Sequence, residues 1–181
     1  MAVPNIGTGI RLLFSEQEIA QRVDAMAEEA ARFLNPEVLC VALLRGSFVF
    51  AADFIRALSR YGVMPRVDFL TLSSYGDATV SSGHIQVTAD VRETVEGRHI
   101  LLLDDILESG QSLTFAADLL HARGAVDVRS IVLLEKPGKC VTGFATDLVG
   151  FVIPDHFVVG YGLDYAGQYR ELPFIGIMER F

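Results

Sequence analysis

Ile100-Leu101-Leu102-Leu103-Asp104-Asp105-Ile106-Leu107-Glu108-Ser109-Gly110-Gln111-Ser112 is the stretch around which the rest of the chain arranges itself. His99–Leu103 has the length and uninterrupted apolar character of a strand covered on both sheet faces. Small polar residues then lead into a predicted helix, Leu113–Arg123, which stops at Gly124. Ser109, Gly110 and Ser112 let backbone amides converge at a helix start, an arrangement that favours a bound phosphate. Asp104, Asp105 and Glu108 repel a phosphate and suit hydroxyl groups, a divalent cation or a developing positive charge. A ligand that combines a phosphate, adjacent hydroxyls and a cationic centre is a ribose phosphate undergoing substitution at its anomeric carbon. Taken alone, the segment also fits two solvated loop acids followed by a plain N-cap at Ser112.

Working outward, Ser15 and Glu18 form a capping-box start, and Ile19, Val23, Met26, Ala30 and Phe33 follow at helical spacing until Asn35-Pro36. Val38–Leu44 is a second continuous apolar strand, and Arg45-Gly46-Ser47 turns it into a helix over Phe48–Arg60. Val67–Leu72 and Val128–Leu134 are further strands. Polar Gly- and Ser-rich sequence from Ser73 to Gly83, then alternation around Ile85, Val87 and Val91, suits a mobile flap or hairpin. Strand, helix, strand, flap, strand, helix, strand is the order of an α/β fold, a doubly wound, mainly parallel sheet. Val141–Phe181 reads as short strands broken by Gly and Pro, an appended lobe. Ligands of such sheets bind beyond the carboxyl ends of the strands. The unusual polar residues of this chain stand in those places.

The composition narrows the function classes. Fifteen basic against twenty-three acidic residues give a net charge of −8, which argues against a nucleic-acid partner. No apolar stretch reaches the roughly 20 residues of a membrane helix, and no secretion signal is visible, so a cytoplasmic protein without a membrane partner is expected. Cys40 and Cys140 lie too far apart in sequence to suggest a metal-ligand pattern, and the four histidines show no paired spacing.

Leu102–Ser112 resembles the ribose-phosphate signature of the type I phosphoribosyltransferases. More narrowly, the chain is similar to hypoxanthine-guanine phosphoribosyltransferases over nearly its whole length. The segments Leu43–Phe48, Ser73–Gly76, Leu133–Pro137 and Gly150–Tyr165, with Tyr169-Arg170 and Leu172-Pro173 after them, stand in that family's order. The resemblance implies one domain over residues 1–181: a core of about 36–140, a flap of about 73–97, and a hood of about 141–181 joined by the N-terminal segment. It implies a purine salvage enzyme that moves the 5-phosphoribosyl group from phosphoribosyl pyrophosphate to hypoxanthine or guanine, giving IMP or GMP and pyrophosphate.

The same resemblance implies roles for particular residues. Asp104 and Asp105 hold the ribose hydroxyls, and Glu108, Ser109, Gly110, Gln111 and Ser112 wrap the 5′-phosphate. Arg45, Gly46 and Arg170 bind pyrophosphate, while Lys136, Phe157 and Val158 bind the purine. Ser74 and Tyr75 close the flap, Asp164 and Asp104 contact Mg2+, and Glu108 is the catalytic base. A dimer or tetramer is implied as well. The family usually has Glu first in the acid pair and Asp as the third acid; this chain has Asp104 and Glu108, so one acid is a methylene shorter and the other a methylene longer. Xanthine as the base, a nucleic-acid-binding regulator on the same fold, and a structural interaction domain are the competing readings.

Overall fold

The computed structural model describes residues 9–74 and 85–179, and Tyr75 with most of the expected flap lies outside them. Twelve elements are present among the described residues: β1 (Ile10–Phe14), α1 (Glu16–Ala31), β2 (Leu39–Leu44), α2 (Phe48–Arg60), β3 (Arg66–Ser74), β4 (Ile85–Ala89), β5 (His99–Leu107), α3 (Gln111–Ala122), β6 (Asp127–Glu135), β7 (Leu148–Val152), β8 (Val158–Val159) and β9 (Ile175–Met178). Six strands form one sheet in the order β4-β3-β2-β5-β6-β7, with only β4 antiparallel to its neighbour. The α/β doubly wound, mainly parallel class is what the structure adopts.

The uninterrupted apolar runs have a direct cause. Successive residues of β2 point to opposite faces of the sheet. Cys40 and Ala42 join α1 and α2 in one core layer, whereas Leu39, Val41 and Leu43 join α3 in the other. Leu101 and Leu103 face the first layer, Ile100 and Leu102 the second, and all four are fully buried. A strand sandwiched in this way has no polar face to alternate with.

Helix α1 starts as its capping box demands: Ser15 Oγ accepts from the Glu18 amide at 3.3 Å, and Glu18 Oε2 accepts from the Ser15 amide at 2.8 Å. Ile19, Val23, Met26 and Ala30 are buried, but the helix ends at Ala31 and leaves Phe33 41% exposed. Arg22 staples this helix to β7, donating to the carbonyls of Val149 and Gly150 at 2.8 and 2.7 Å.

Three boundaries differ from the sequence reading. Strand β5 runs on to Leu107, because Asp104 and Ile106 stay in ladder with Val132 and Leu134 of β6. The ladder overrides the polarity of the acid pair, which therefore stands on the strand rather than after it. Helix α3 begins at Gln111, its N-cap is Gly110 at φ +80°, and Ser112 lies inside the first turn. Leu148–Val152 leaves the tail lobe and pairs parallel to β6 as an edge strand of the main sheet. The remaining tail strands, β8 and β9, join β1 in a separate three-stranded sheet over the carboxyl end of the core.

The two thiols have opposite surroundings. Cys40 is fully buried, and burial pushes its thiol up to about 12. Cys140 is half-buried; partial burial raises its thiol, but hydrogen bonds involving Thr142, Gly143 and Phe144 bring it below its ordinary value. Alkylation of the native protein at neutral pH should label Cys140 and spare Cys40 until denaturant is added. Peptide mapping that finds Cys40 labelled first would contradict this placement.

Candidate active site

The carboxyl ends of β2, β5 and β6 bring three loops together. A cavity of about 310 Å3 opens there, lined by Arg45, Gly46, Asp104, Asp105, Glu108, Ser109, Gly110 and Ser112. A second, of about 250 Å3, is lined by Asp105, Glu108, Lys136, Phe157, Val158 and Asp164. Asp105, Ile106 and Glu108 line both, so the cavities are two lobes of one cleft. The first lobe has the polar character that a sugar phosphate requires, and the second pairs an aromatic ring with a buried ammonium.

The acid pair sits at the junction. Asp104 is 9% exposed, and burial together with the Asp105 charge pushes its carboxyl well above the usual carboxylate range. Burial raises Asp105 too, against hydrogen bonds with the Asp104 side chain and the backbone and against the charge of Arg170. Asp104 Oδ1 accepts from the Asp105 amide, and Asp105 Oδ1 from the Ile106 amide, both at 3.0 Å. Buried acids held this way are poised to meet hydroxyl donors or a cation. Gly46 is needed beside them: a Cβ there would stand 1.7 Å from Asp105 Oδ2.

The loop after the acids is shaped from behind. Gly110 has φ +80°, and a Cβ on it would come within 2.5 Å of Thr142 Oγ1 and 2.7 Å of Cys140 Sγ. The Val141 amide donates to the Ser109 carbonyl at 3.0 Å, and the Gln111 amide donates to Ser109 Oγ at 3.3 Å. Cys140 and Thr142 thus support the loop, a contribution that no motif in the sequence signals.

Lys136 reaches the second lobe from the end of β6. Its side chain is 7% exposed, and its Nζ donates to Glu108 Oε2 at 3.1 Å. Phe157 is 40% exposed and meets the Tyr165 ring edge-on, with centroids 5.6 Å apart. Val158 is buried in β8, with its backbone beside the lobe.

Two further expected groups sit differently. Arg170 pairs with Asp164 at 2.6 Å and donates to the Gly162 carbonyl at 2.6 Å, lining a neighbouring cavity rather than either lobe. It still stands near Asp105 and the Gly46 turn, because Gly162 packs so closely that a Cβ on it would be 2.3 Å from the Gly46 carbonyl. Asp104 and Asp164 line different lobes, and among the described residues no group of three or more potential ligands converges on one point. The donors are carboxylates, which fit a hard divalent cation that is held by one or two acids and completed by ligand oxygens and water. Ser74 ends β3, and Tyr75 is not among the described residues.

A profile of the phosphoribosyl transferase domain matches residues 12–166. The chain belongs to the phosphoribosyltransferase family. Among relatives of this phosphoribosyltransferase, the hypoxanthine-guanine phosphoribosyltransferase of Bacillus subtilis is 41% identical over 170 residues, covering 93% of each chain. A hypoxanthine phosphoribosyltransferase structure from Staphylococcus aureus superposes with a TM-score of 0.90 at 31% identity, over 98% of this chain and 97% of that one. The Trypanosoma cruzi hypoxanthine phosphoribosyltransferase in complex with its product IMP gives 0.89 at 33% identity, over 97% of both chains. The type I phosphoribosyltransferase fold expected from the acid signature is the fold of these neighbours. Missed in the sequence reading were Gly162, Cys140, Thr142, Lys139 and Asp155, residues that touch the site only through tertiary contacts. Gly162 had one available signal, the closely spaced pair Gly160 and Gly162.

Proposed function

We propose that this chain is a hypoxanthine-guanine phosphoribosyltransferase, which transfers the 5-phosphoribosyl group of phosphoribosyl pyrophosphate to a 6-oxopurine and releases pyrophosphate. The observation that carries this reading is the buried Lys136 facing Glu108 in a lobe that also holds Phe157. An ammonium can donate to a 6-oxo group and cannot accept from a 6-amino group, so the lobe favours hypoxanthine or guanine over adenine. Its adjoining acid lobe has the size and polarity for a ribose phosphate.

Each residue then has a task. Asp104 and Asp105 take the ribose hydroxyls, and their charge faces the cationic sugar that develops as the anomeric bond breaks. The amides and hydroxyls of Ser109, Gly110, Gln111 and Ser112 take the 5′-phosphate at the start of α3. Phe157 stacks on the base, Lys136 donates to its 6-oxo group, and the Val158 backbone meets the opposite edge. Glu108 accepts the proton from the imidazole ring of the base. Arg45, Gly46 and Arg170 hold pyrophosphate, and Ser74 and Tyr75 exclude water. Asp104 and Asp164 are the residues that would hold Mg2+, which offsets charge on the departing pyrophosphate.

Nucleotide formation tests the reading. The protein, magnesium and phosphoribosyl pyrophosphate are mixed with hypoxanthine, guanine, xanthine or adenine in separate reactions. IMP and GMP are the expected products, adenine should give none, and chelation of magnesium should abolish turnover. No product from any base would sink the proposal. A homodimer or tetramer belongs to the same reading. No helix among the described residues is long and apolar enough to cross a membrane.

A further inference from the structure

Lys136 has a second carboxylate. Asp155 Oδ1 stands 3.8 Å from its Nζ, and Lys139 Nζ grips the other oxygen of Asp155 at 2.6 Å. Lys136 and Lys139 flank the Pro137-Gly138 turn after β6, while Asp155 lies two residues before Phe157 on the segment entering β8. The hydrogen bond from Lys139, aided by the charges of Lys139 and Lys136, holds the Asp155 carboxyl below its usual range. It is therefore a firm anion at neutral pH, aimed at a nearly buried cation.

The reaction gives that second anion a purpose. Glu108, the partner of Lys136 in the open site, becomes neutral when it takes a proton from the base. A nearly buried ammonium left without a counter-ion is costly, and the side chain would swing toward water or lose its hold on the 6-oxo group. We propose, on the basis of the activity assigned above, that Asp155, clamped by Lys139, is a positioning residue that keeps Lys136 on the 6-oxo group when Glu108 is neutralised. Lys136 thus passes from one carboxylate to another during turnover. Asp155 touches neither the sugar nor the base.

Kinetics with two ligands separate this role from a structural one. Asp155→Asn should lower kcat/KM for hypoxanthine about fivefold, the size of a half-exposed ion pair. KM for phosphoribosyl pyrophosphate should stay unchanged. Unsubstituted purine offers Lys136 no 6-oxo acceptor, so its inhibition constant as a competitor of hypoxanthine should not move. Asp155→Glu should restore most of the lost efficiency, and Lys139→Met should reproduce the defect more weakly. If Asp155→Asn matches the parent protein with hypoxanthine, or weakens purine as much as hypoxanthine, the inference fails while the enzyme assignment stands. A parent protein that makes no nucleotide overturns both.

Discussion

Glu108→Gln is expected to reduce kcat by about 100- to 1,000-fold, within the range for a lost general base. KM for phosphoribosyl pyrophosphate should change little, because the amide keeps the shape of the side chain and still accepts from Lys136 at the 3.1 Å contact. What it cannot do is take the imidazole proton. Glu108→Asp supplies the comparison. It restores the acid length usual in the family and keeps the charge, but it withdraws the carboxylate from Lys136 by one methylene. Turnover should survive that change far better than the loss of charge. Steady-state kinetics on the three proteins decide the matter: equal kcat for the parent and Glu108→Gln would remove Glu108 from proton transfer altogether.

Gly46→Ala should lower kcat/KM by about 100-fold, the penalty for misplacing a reacting group by an ångström. The backbone at Gly46 is outside the positive-φ region, so the substitution is harmless to the chain itself. The cost is one of space. The new methyl would stand 1.7 Å from Asp105 Oδ2 and 2.6 Å from its Cγ, and an Asp side chain is too short to swing clear without leaving the cleft. The Gly46 carbonyl cannot retreat, since Gly162 already packs against it. Crowding of this kind also costs about 1–3 kcal/mol of folding stability. Urea unfolding with parallel kinetics would test both parts, and an unchanged kcat/KM would show that Asp105 has room the geometry denies it.

Much of the fold could be read from residues because its central strands are buried on both faces. Val38–Leu44 and Ile100–Leu103 have no alternative to being strands in a covered sheet, and Ser15 with Glu18 starts α1 by purely local hydrogen bonding. What escaped depended on partners distant in sequence. Ile10–Phe14 is a strand only because Ile175–Met178 lies beside it, and Leu148–Val152 belongs to the main sheet only because β6 offers an edge. The acid pair looked like loop because carboxylates are rare in sheets, and the ladder with β6 outweighed that preference.

The site divides in the same way. Residue types after each strand pointed to phosphate, hydroxyl and base, since their chemistry is intrinsic to the side chain. Pairings were invisible. The contact of Gly46 with Asp105, the link from Lys136 to Glu108, and the Lys139–Asp155 clamp all join loops 16 to 59 positions apart. Arg170 shows the converse, a residue placed near the cleft but held by Asp164 and a carbonyl before any substrate arrives.

Arg22 bears on a different property of the molecule, its solubility. Strand β7 ends the sheet, and an unpaired strand edge is a template on which other chains can add and aggregate. By donating to the Gly150 carbonyl, which faces away from β6, the guanidinium answers an acceptor that a foreign strand would otherwise find open. The residue that docks the first helix also keeps one border of the sheet from recruiting its neighbours.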